Sequence, residues 1–384
     1  MVVTDRRRLR GAAGLVVAAL LLAPGWALGP VAASAPGNAE GSSDEARVRN
    51  VLVVTLDGLR WQELFSGYSA ELNTKDGGGV DDPEALARRF DAPTPEARRT
   101  ALLPFFWETI AREGQILGDP SRESLVRATN GLLFSYPGYN ELLTGVVDPR
   151  IDSNAKKTNP NVNVLEWLNQ RPGFEGRVAA FGSWDVLPFI LAVERSGLPA
   201  NGAGPPVDHP RTDRERLLNE FAADLPAYWG SGRFDAPAMQ GALEYLKTQQ
   251  PRVLYVMLGE TDEWAHGRRY DLYLDAAHRS DRFLRRLWQT AQSLPAYRGQ
   301  TALVVATDHG RGKTPRDWTD HGEKVPVADR IWMAVMGPET PALGVRAGLS
   351  ATQSQLAATV AHLLGEDYRA GVPQAAPPLP DVTR

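Results

Sequence analysis

Three runs of the chain are almost wholly apolar and stop at an acidic segment. Val51-Leu52-Val53-Val54-Thr55-Leu56 ends at Asp57-Gly58, and Val253 to Leu258 and Thr301 to Ala306 repeat the pattern. Continuous aliphatic and β-branched runs of this length predict strands buried on both faces. Arg177 to Phe181 and Ile331 to Met336 predict two more. Helical spacing is expected over Pro104 to Arg112, Val164 to Asn169, Ala236 to Thr248, Tyr270 to Ala291 and Gln353 to Leu364. The helix from Tyr270 sets Leu272, Leu274, Phe283, Leu284 and Leu287 among charges, an amphipathic pattern. Strands alternating with helices argue for an α/β sheet covered on both faces. Residues 66–100 and 196–233, rich in Gly, Pro and charge, read as long loops or a cap. The segment 367–384, with Pro373, Pro377, Pro378 and Pro380, reads as a mobile tail.

The first residues depart from this pattern. Arg6, Arg7, Arg8 and Arg10 precede an apolar run from Gly11 to Leu22, and small residues follow through Ala35. That is the order of a secretory signal peptide over residues 1–35, with the basic run loosely fitting a twin-arginine signal. The apolar run is short for a membrane span, so no stable span is expected after cleavage, and the product would be secreted or periplasmic. A polar linker over 36–46 and a catalytic domain over 47–366 complete the expected organisation.

The 384-residue composition, 43% hydrophobic and 23% charged, is that of an ordinary globular protein. The formal charge is −4, and residues 1–35 carry four Arg and one Asp, so the chain without them stands at −7. An acidic chain lacking a long basic run is poorly suited to a phosphate backbone, so no nucleic-acid scaffold is expected as a partner. There is no cysteine, which excludes disulfides, thiolate metal sites and a cysteine nucleophile.

The chemistry concentrates where the apolar runs stop. Asp57, then Glu260-Thr261-Asp262-Glu263-Trp264-Ala265-His266, then Thr307-Asp308-His309-Gly310 each follow an expected strand, and Asp320-His321-Gly322 lies just beyond. In α/β sheets, ligands collect at the carboxyl ends of strands. Asp262 and His266 share a helical face at i and i+4. Carboxylate and imidazole are the donors of a zinc-type site where no thiolate exists. Each motif alone reads as a turn or cap; together, after buried strands, they point to a metalloenzyme. His209, His278 and His362 are left as surface or structural residues. Ser135, in Leu132-Leu133-Phe134-Ser135-Tyr136-Pro137-Gly138-Tyr139, opens an expected helix and is either its N-cap or a nucleophile. Trp61, Trp184 and Tyr139 are core aromatics or stacking platforms for a substrate ring.

The order Asp57, Ser135, Asp262, His266, Asp308, His309, His321 resembles the alkaline phosphatase superfamily. Within it, the chain is most similar to the nucleotide pyrophosphatase/phosphodiesterase branch, over roughly residues 49–340. The resemblance implies an alkaline-phosphatase-like, mostly parallel sheet with helices on both faces and loop or cap insertions. It implies two divalent metal ions, Zn2+ foremost, with Asp262, His266 and His321 holding one. Asp57, Asp308 and His309 would hold the second, with Ser135 bridging toward it as nucleophile. Asn154, in Ile151-Asp152-Ser153-Asn154, would bind a phosphoryl oxygen. The implied activity is hydrolysis of a small phosphate ester by in-line displacement through a phosphoseryl enzyme. A phosphoryl transferase or mutase, a sulfatase-like hydrolase and a non-catalytic binding member are the alternatives. Phosphodiesterases of this branch carry threonine followed by Phe-Pro-Asn-His, where this chain has Ser135-Tyr136-Pro137-Gly138-Tyr139. Serine is the nucleophile of the phosphatases, so monoester against diester stays open. In sulfatases an arginine stands where Tyr139 does, which disfavours that activity.

Overall fold

The computed structural model describes residues 48–383. The chain divides into Met1–Ser43, outside the described residues together with the expected signal and linker, and Asp44–Arg384. Among the described residues no helix is long and apolar enough to cross a membrane.

Every residue of Asn50–Leu56, Val253–Leu258 and Thr301–Ala306 is buried, as their apolar runs require. Asn50–Leu56 lies between the other two and runs parallel to both, with Val51 opposite Val253 and Ala302. These three strands form the centre of an eight-stranded sheet. Its order is Gly344–Val345, Gly114–Leu117, Met333–Met336, Thr301–Ala306, Asn50–Leu56, Val253–Leu258, Val178–Gly182, Ala200–Gly202. Only Met333–Met336 opposes its neighbours, so the sheet is mostly parallel, as expected.

The pleat divides each run between two cores. Val51, Val53, Tyr255, Met257, Val304 and Ala306 face one cluster. Leu52, Val54, Leu254, Val256, Leu303 and Val305 face the other. Helices Ser135–Thr144, Val164–Asn169 and Gln355–Leu363 cover the first face through Leu142, Leu143, Leu165, Leu356 and Val360. Helices Asp235–Thr248 and Tyr270–Ser293 cover the second through Leu243, Leu246, Leu274, Leu284 and Leu287. With seven strands parallel and both faces covered, one edge of the sheet gathers the carboxyl ends.

Two sequence expectations need correction. Residues 66–100, expected as long loops or a cap, do not form one long loop but hold helices Lys75–Gly78, Pro83–Phe90 and Pro95–Leu102. Thr74, Asp82 and Thr94 cap them by accepting the amide three residues on, and proline opens the last two. Similarly, 196–233 contains the edge strand Ala200–Gly202 and helix Asp213–Asp224, started by a Thr212/Glu215 capping box. The proline-rich end, read as a mobile tail, packs on the core instead. Tyr368, Val372, Ala375, Leu379 and Val382 are buried, and Thr359 accepts the Leu379 amide.

Candidate active site

Backbone placement does most of the work of assembly. Asp57 is the first residue past Asn50–Leu56, and Asp308 and His309 follow Thr301–Ala306 by one residue. Helix Glu260–His266 starts two residues beyond Val253–Leu258 and carries Asp262 and His266 on one face. His321 arrives from the loop after the third strand. Gly58 makes the first turn possible: its φ is +59°, and a Cβ there would stand 2.8 Å from Arg311 Nε and 3.0 Å from Asp262 Oδ1.

All seven residues expected to hold metal converge. Asp57, Asp308 and His309 offer ligand atoms within 4.8 Å of one another, and so do Asp262, His309 and His321. His266 joins the second group, with Nε2 3.2 Å from Asp262 Oδ2 and 3.0 Å from His321 Nε2. His309 stands between the groups, its Nε2 3.3 Å from Asp57 Oδ1, 3.5 Å from Asp308 Oδ2 and 3.7 Å from Asp262 Oδ1.

The donor set fits cations. His309 Nδ1 faces the Gly310 carbonyl at 3.1 Å and His321 Nδ1 faces that of Leu133 at 3.2 Å. A carbonyl only accepts, so these contacts place the protons on Nδ1 and leave both Nε2 lone pairs turned into the site. Among the described residues, Asp57 Oδ1 and Asp308 Oδ2 are buried without a hydrogen-bond partner. Bare carboxylate oxygens facing bare imidazole nitrogens repel unless positive charge lies between them, and burial makes that repulsion costly.

The electrostatics agree. Burial pushes Asp57 well above its ordinary range, and the neighbouring Asp262 adds to the shift. Burial and Asp57 do the same to Asp308. Asp262 goes the other way: burial opposes its charge, but Arg311 and His266 outweigh it and hold the carboxyl well below the usual range. Glu263 is pushed up to about 7 by burial and by Asp262.

Ser135 opens helix Ser135–Thr144, all of whose residues are buried. Its Oγ lies 3.5 Å from His309 Nε2. The helix N-cap is Phe134, with no side-chain cap, so the serine hydroxyl is not used as one. Gly138 follows from packing: a Cβ there would meet the Asp308 carbonyl oxygen at 2.5 Å, so only glycine lets this helix lie against that loop. Tyr139, one turn along, donates its hydroxyl to Asp57 Oδ2 at 3.0 Å. Asn154 Oδ1 accepts the Tyr136 amide at 3.0 Å, which sets its side chain at the helix start beside Ser135. Trp184, half-buried, lies with its ring 6.5 Å from that of Tyr139, whereas Trp61 packs with the other core.

Sequence reasoning missed two residues. Arg311 is 1% exposed and ion-paired with Asp262; its nearness to His309 in the chain was visible, its partner was not. Glu141 is fully buried under the loop that leads to Ser135. It accepts from the amides of Thr129 and Asn130, from both their side chains, and from Ser354. Asn130 Oδ1 in turn holds the amides of Leu132 and Leu133, and Leu133 has a φ of +56°. The one charged residue of helix Ser135–Thr144 was the available signal. Glu141→Ala would orphan five donors, and a loss of about 3 kcal/mol or more in folding stability is expected, read by urea unfolding. An unchanged unfolding midpoint would show that the loop holds itself.

A cavity of about 620 Å3 lies elsewhere, between Ser183, Asn201, Asn219 and Phe234, and is lined by none of the converging residues.

Solved structures share this architecture. Wild-type alkaline phosphatase PafA matches with a TM-score of 0.54 at 11% identity, covering 88% of this chain and 99% of that one. The lipoteichoic acid synthase LtaP from Listeria monocytogenes gives 0.51 at 12%, covering 84% and 73%. Ps i-CgsB in complex with k-i-k-neocarrahexaose gives 0.51 at 13%, covering 86% and 75%. The fold is thus alkaline-phosphatase-like. No match was found among curated protein sequences. The model of the type I phosphodiesterase / nucleotide pyrophosphatase family matches residues 135–372, more than half of the chain, and the chain belongs to that family. It is a phosphoester hydrolase. The match begins at Ser135 and takes in Asp262, His266, Asp308, His309 and His321, while Asp57 lies before it.

Proposed function

We propose that the protein is an exported, two-metal phosphodiesterase that works through a phosphoseryl intermediate on Ser135. The observation that carries the reading is the pair of orphaned carboxylate oxygens, on Asp57 and Asp308, facing inward-turned imidazoles beside an uncapping serine at a helix start. Asp262, His266 and His321 would hold one divalent ion, and Asp57, Asp308 and His309 the other, with Ser135 bridging toward it. Zinc suits the mixed Asp/His donors best. Ions so placed supply Lewis-acid charge to the attacking and leaving oxygens.

The chain's own groups do the rest. Ser135 Oγ attacks phosphorus, the ester oxygen opposite departs, and water then cleaves the phosphoseryl bond and restores the hydroxyl. The start of helix Ser135–Thr144 favours the anionic phosphoryl group. Asn154, its oxygen committed to the Tyr136 amide, has its NH2 left to donate to a phosphoryl oxygen. Among the described residues, neither Ser135 nor Asn154 has a lysine or arginine partner. A neutral donor matches the single charge of a diester better than the double charge of a monoester, which together with the family favours a diesterase. The basic and apolar order of residues 1–35 supports export.

Hydrolysis of bis-p-nitrophenyl phosphate and p-nitrophenyl phosphate, with metal content measured on the same sample, tests this. The diester is expected to be preferred at least ~10-fold in kcat/KM, with two metals per chain. A monoester preference would make the enzyme a phosphatase. Absence of metal and of activity after reconstitution would sink the reading.

A further inference from the structure

We propose that the two cation positions are built unequal, with Arg311 acting as a resident cation that makes the Asp262/His266/His321 position weak and exchangeable. The inference rests on the two-metal reading above and adds a form of control to it.

Asp262 is a divided ligand. Its Oδ1 is taken by Arg311 Nη2, which also reaches the Asp262 carbonyl at 3.2 Å, while Nη1 is held by the Thr319 carbonyl. The guanidinium is therefore fixed from both sides and fully buried. Oδ1, the oxygen that also faces His309 Nε2 at 3.7 Å and His321 Nε2 at 3.8 Å, thus already shares its charge with a guanidinium, while Oδ2 lies 3.2 Å from His266 Nε2. Glu263, next in sequence, has its carboxylate against Gly232.

The other position has no such occupant. Among the described residues, the Asp57 and Asp308 side chains accept only from neutral donors, the Tyr139 hydroxyl and the Gly58 amide, and each keeps one buried oxygen without a partner. Its ligands thus bring two carboxylates and no fixed positive charge. The outer position brings one carboxylate and one guanidinium. Access differs in the same sense: the side chains of Asp57, Asp308 and His309 are at most 7% exposed, whereas that of His266 is 47% exposed.

A divalent ion is attracted by the uncompensated charge of its ligands, and in a buried site a unit charge a few ångströms away shifts affinity by more than ~10-fold. The deep position should fill first and hold its ion, and the outer one should fill only as free cation rises. Turnover would then track the free divalent cation through one position. Mutual repulsion of two cations also staggers loading, and removal of Arg311 separates the two causes.

The test is titration of metal-stripped protein with Zn2+ against a chelating indicator, with bound metal counted at each buffered concentration. Wild type is expected to show a first equivalent at least ~100-fold tighter than the second. His266→Ala should remove the weak class and Asp57→Asn the tight one. Arg311→Gln should tighten the weak class at least ~10-fold, while Arg311→Lys, which keeps the charge, should preserve the gap. Two equal sites in wild type, or an unchanged or weakened second site in Arg311→Gln, would overturn the proposal. If Arg311→Gln does not fold, the class assignment decides: loss of the tight class in His266→Ala overturns it equally. Failure of wild type to bind any metal would refute the two-metal reading itself.

Discussion

Asp57→Asn is expected to cut kcat/KM by at least ~10³-fold in metal-replete protein. The same substitution should raise the melting temperature of the metal-free protein. Both effects come from one arrangement. Asp57 is buried, and one oxygen accepts from Tyr139 while the other has no hydrogen bond among the described residues. Asparagine can keep the Tyr139 contact through Oδ1, so the packing survives. What would be lost, on the two-metal reading, is a charged ligand, and with it the activity. What is gained, without metal, is relief from a buried charge set against Asp262 and Asp308.

The pH dependence fixes the sign. Burial, followed by the neighbouring carboxylates, raises the folded values of Asp57 and Asp308 above the ordinary 3.8. A raised folded value means the native state binds protons more tightly than the unfolded chain. The contribution of these groups to stability is full below 3.8 and is lost as pH rises through their folded values. Asp262, depressed chiefly by Arg311 against its burial, contributes stability present above 3.8 that disappears only as pH falls through its lower folded value. Above 3.8, then, the metal-free wild type should lose stability with rising pH, and Asp57→Asn should lose less. Bound cation should reverse the trend, since a ligand held only by the native state adds about 2.7 kcal/mol at 100 times its Kd. Calorimetry of chelator-treated and zinc-loaded protein at pH 5 and pH 8, beside steady-state kinetics, reads all of this. Near-normal turnover in the variant, or a lower metal-free melting temperature, would remove Asp57 from the metal site.

Much of this site is legible in the sequence because the central strands are buried on both faces. An unbroken run such as Val51 to Leu56 must stop where the chain meets the sheet edge, so the first polar residue marks the edge. Asp57, Asp262 and Asp308 are found that way. Composition misleads where short local signals outrank it. Residues 66–100 look like loop from their glycines and charges, yet Asp82-Pro83 and Thr94-Pro95 are helix starts. The end of the chain looks mobile from its prolines, yet Tyr368, Val372, Ala375, Leu379 and Val382 are apolar residues with a core to meet. Arg311 and Glu141 were hidden for another reason. The partner of Arg311 is Asp262, 49 residues away, and Glu141 reaches loop residues 11 and 12 positions back and Ser354 213 positions on. Such roles exist only once the chain is folded.

Ser135→Ala should abolish most turnover, at least ~10³-fold in kcat, and leave metal content and stability as they were. The structure makes this a clean substitution. A serine at a helix start is ordinarily a cap, and removing a cap costs ~1 kcal/mol. Here the cap position belongs to Phe134, and among the described residues the Ser135 hydroxyl has one side-chain hydrogen-bond partner, His309 Nε2 at 3.5 Å. The hydroxyl supports nothing in the fold, so its loss should fall within ~0.5 kcal/mol of wild-type stability. Unlike Asp57→Asn, the variant retains every carboxylate and imidazole of both groups, so metal should still bind. A protein that melts like wild type, carries wild-type metal and does not turn over isolates the defect in the bond-forming step. Acid quenching during turnover should trap phosphate on Ser135 in wild type, found by mass spectrometry of the peptide that contains it. Wild-type rates in Ser135→Ala would mean that water attacks the ester directly and that no phosphoseryl enzyme forms. A dead variant that has also lost metal would instead make Ser135 a ligand first and a nucleophile second.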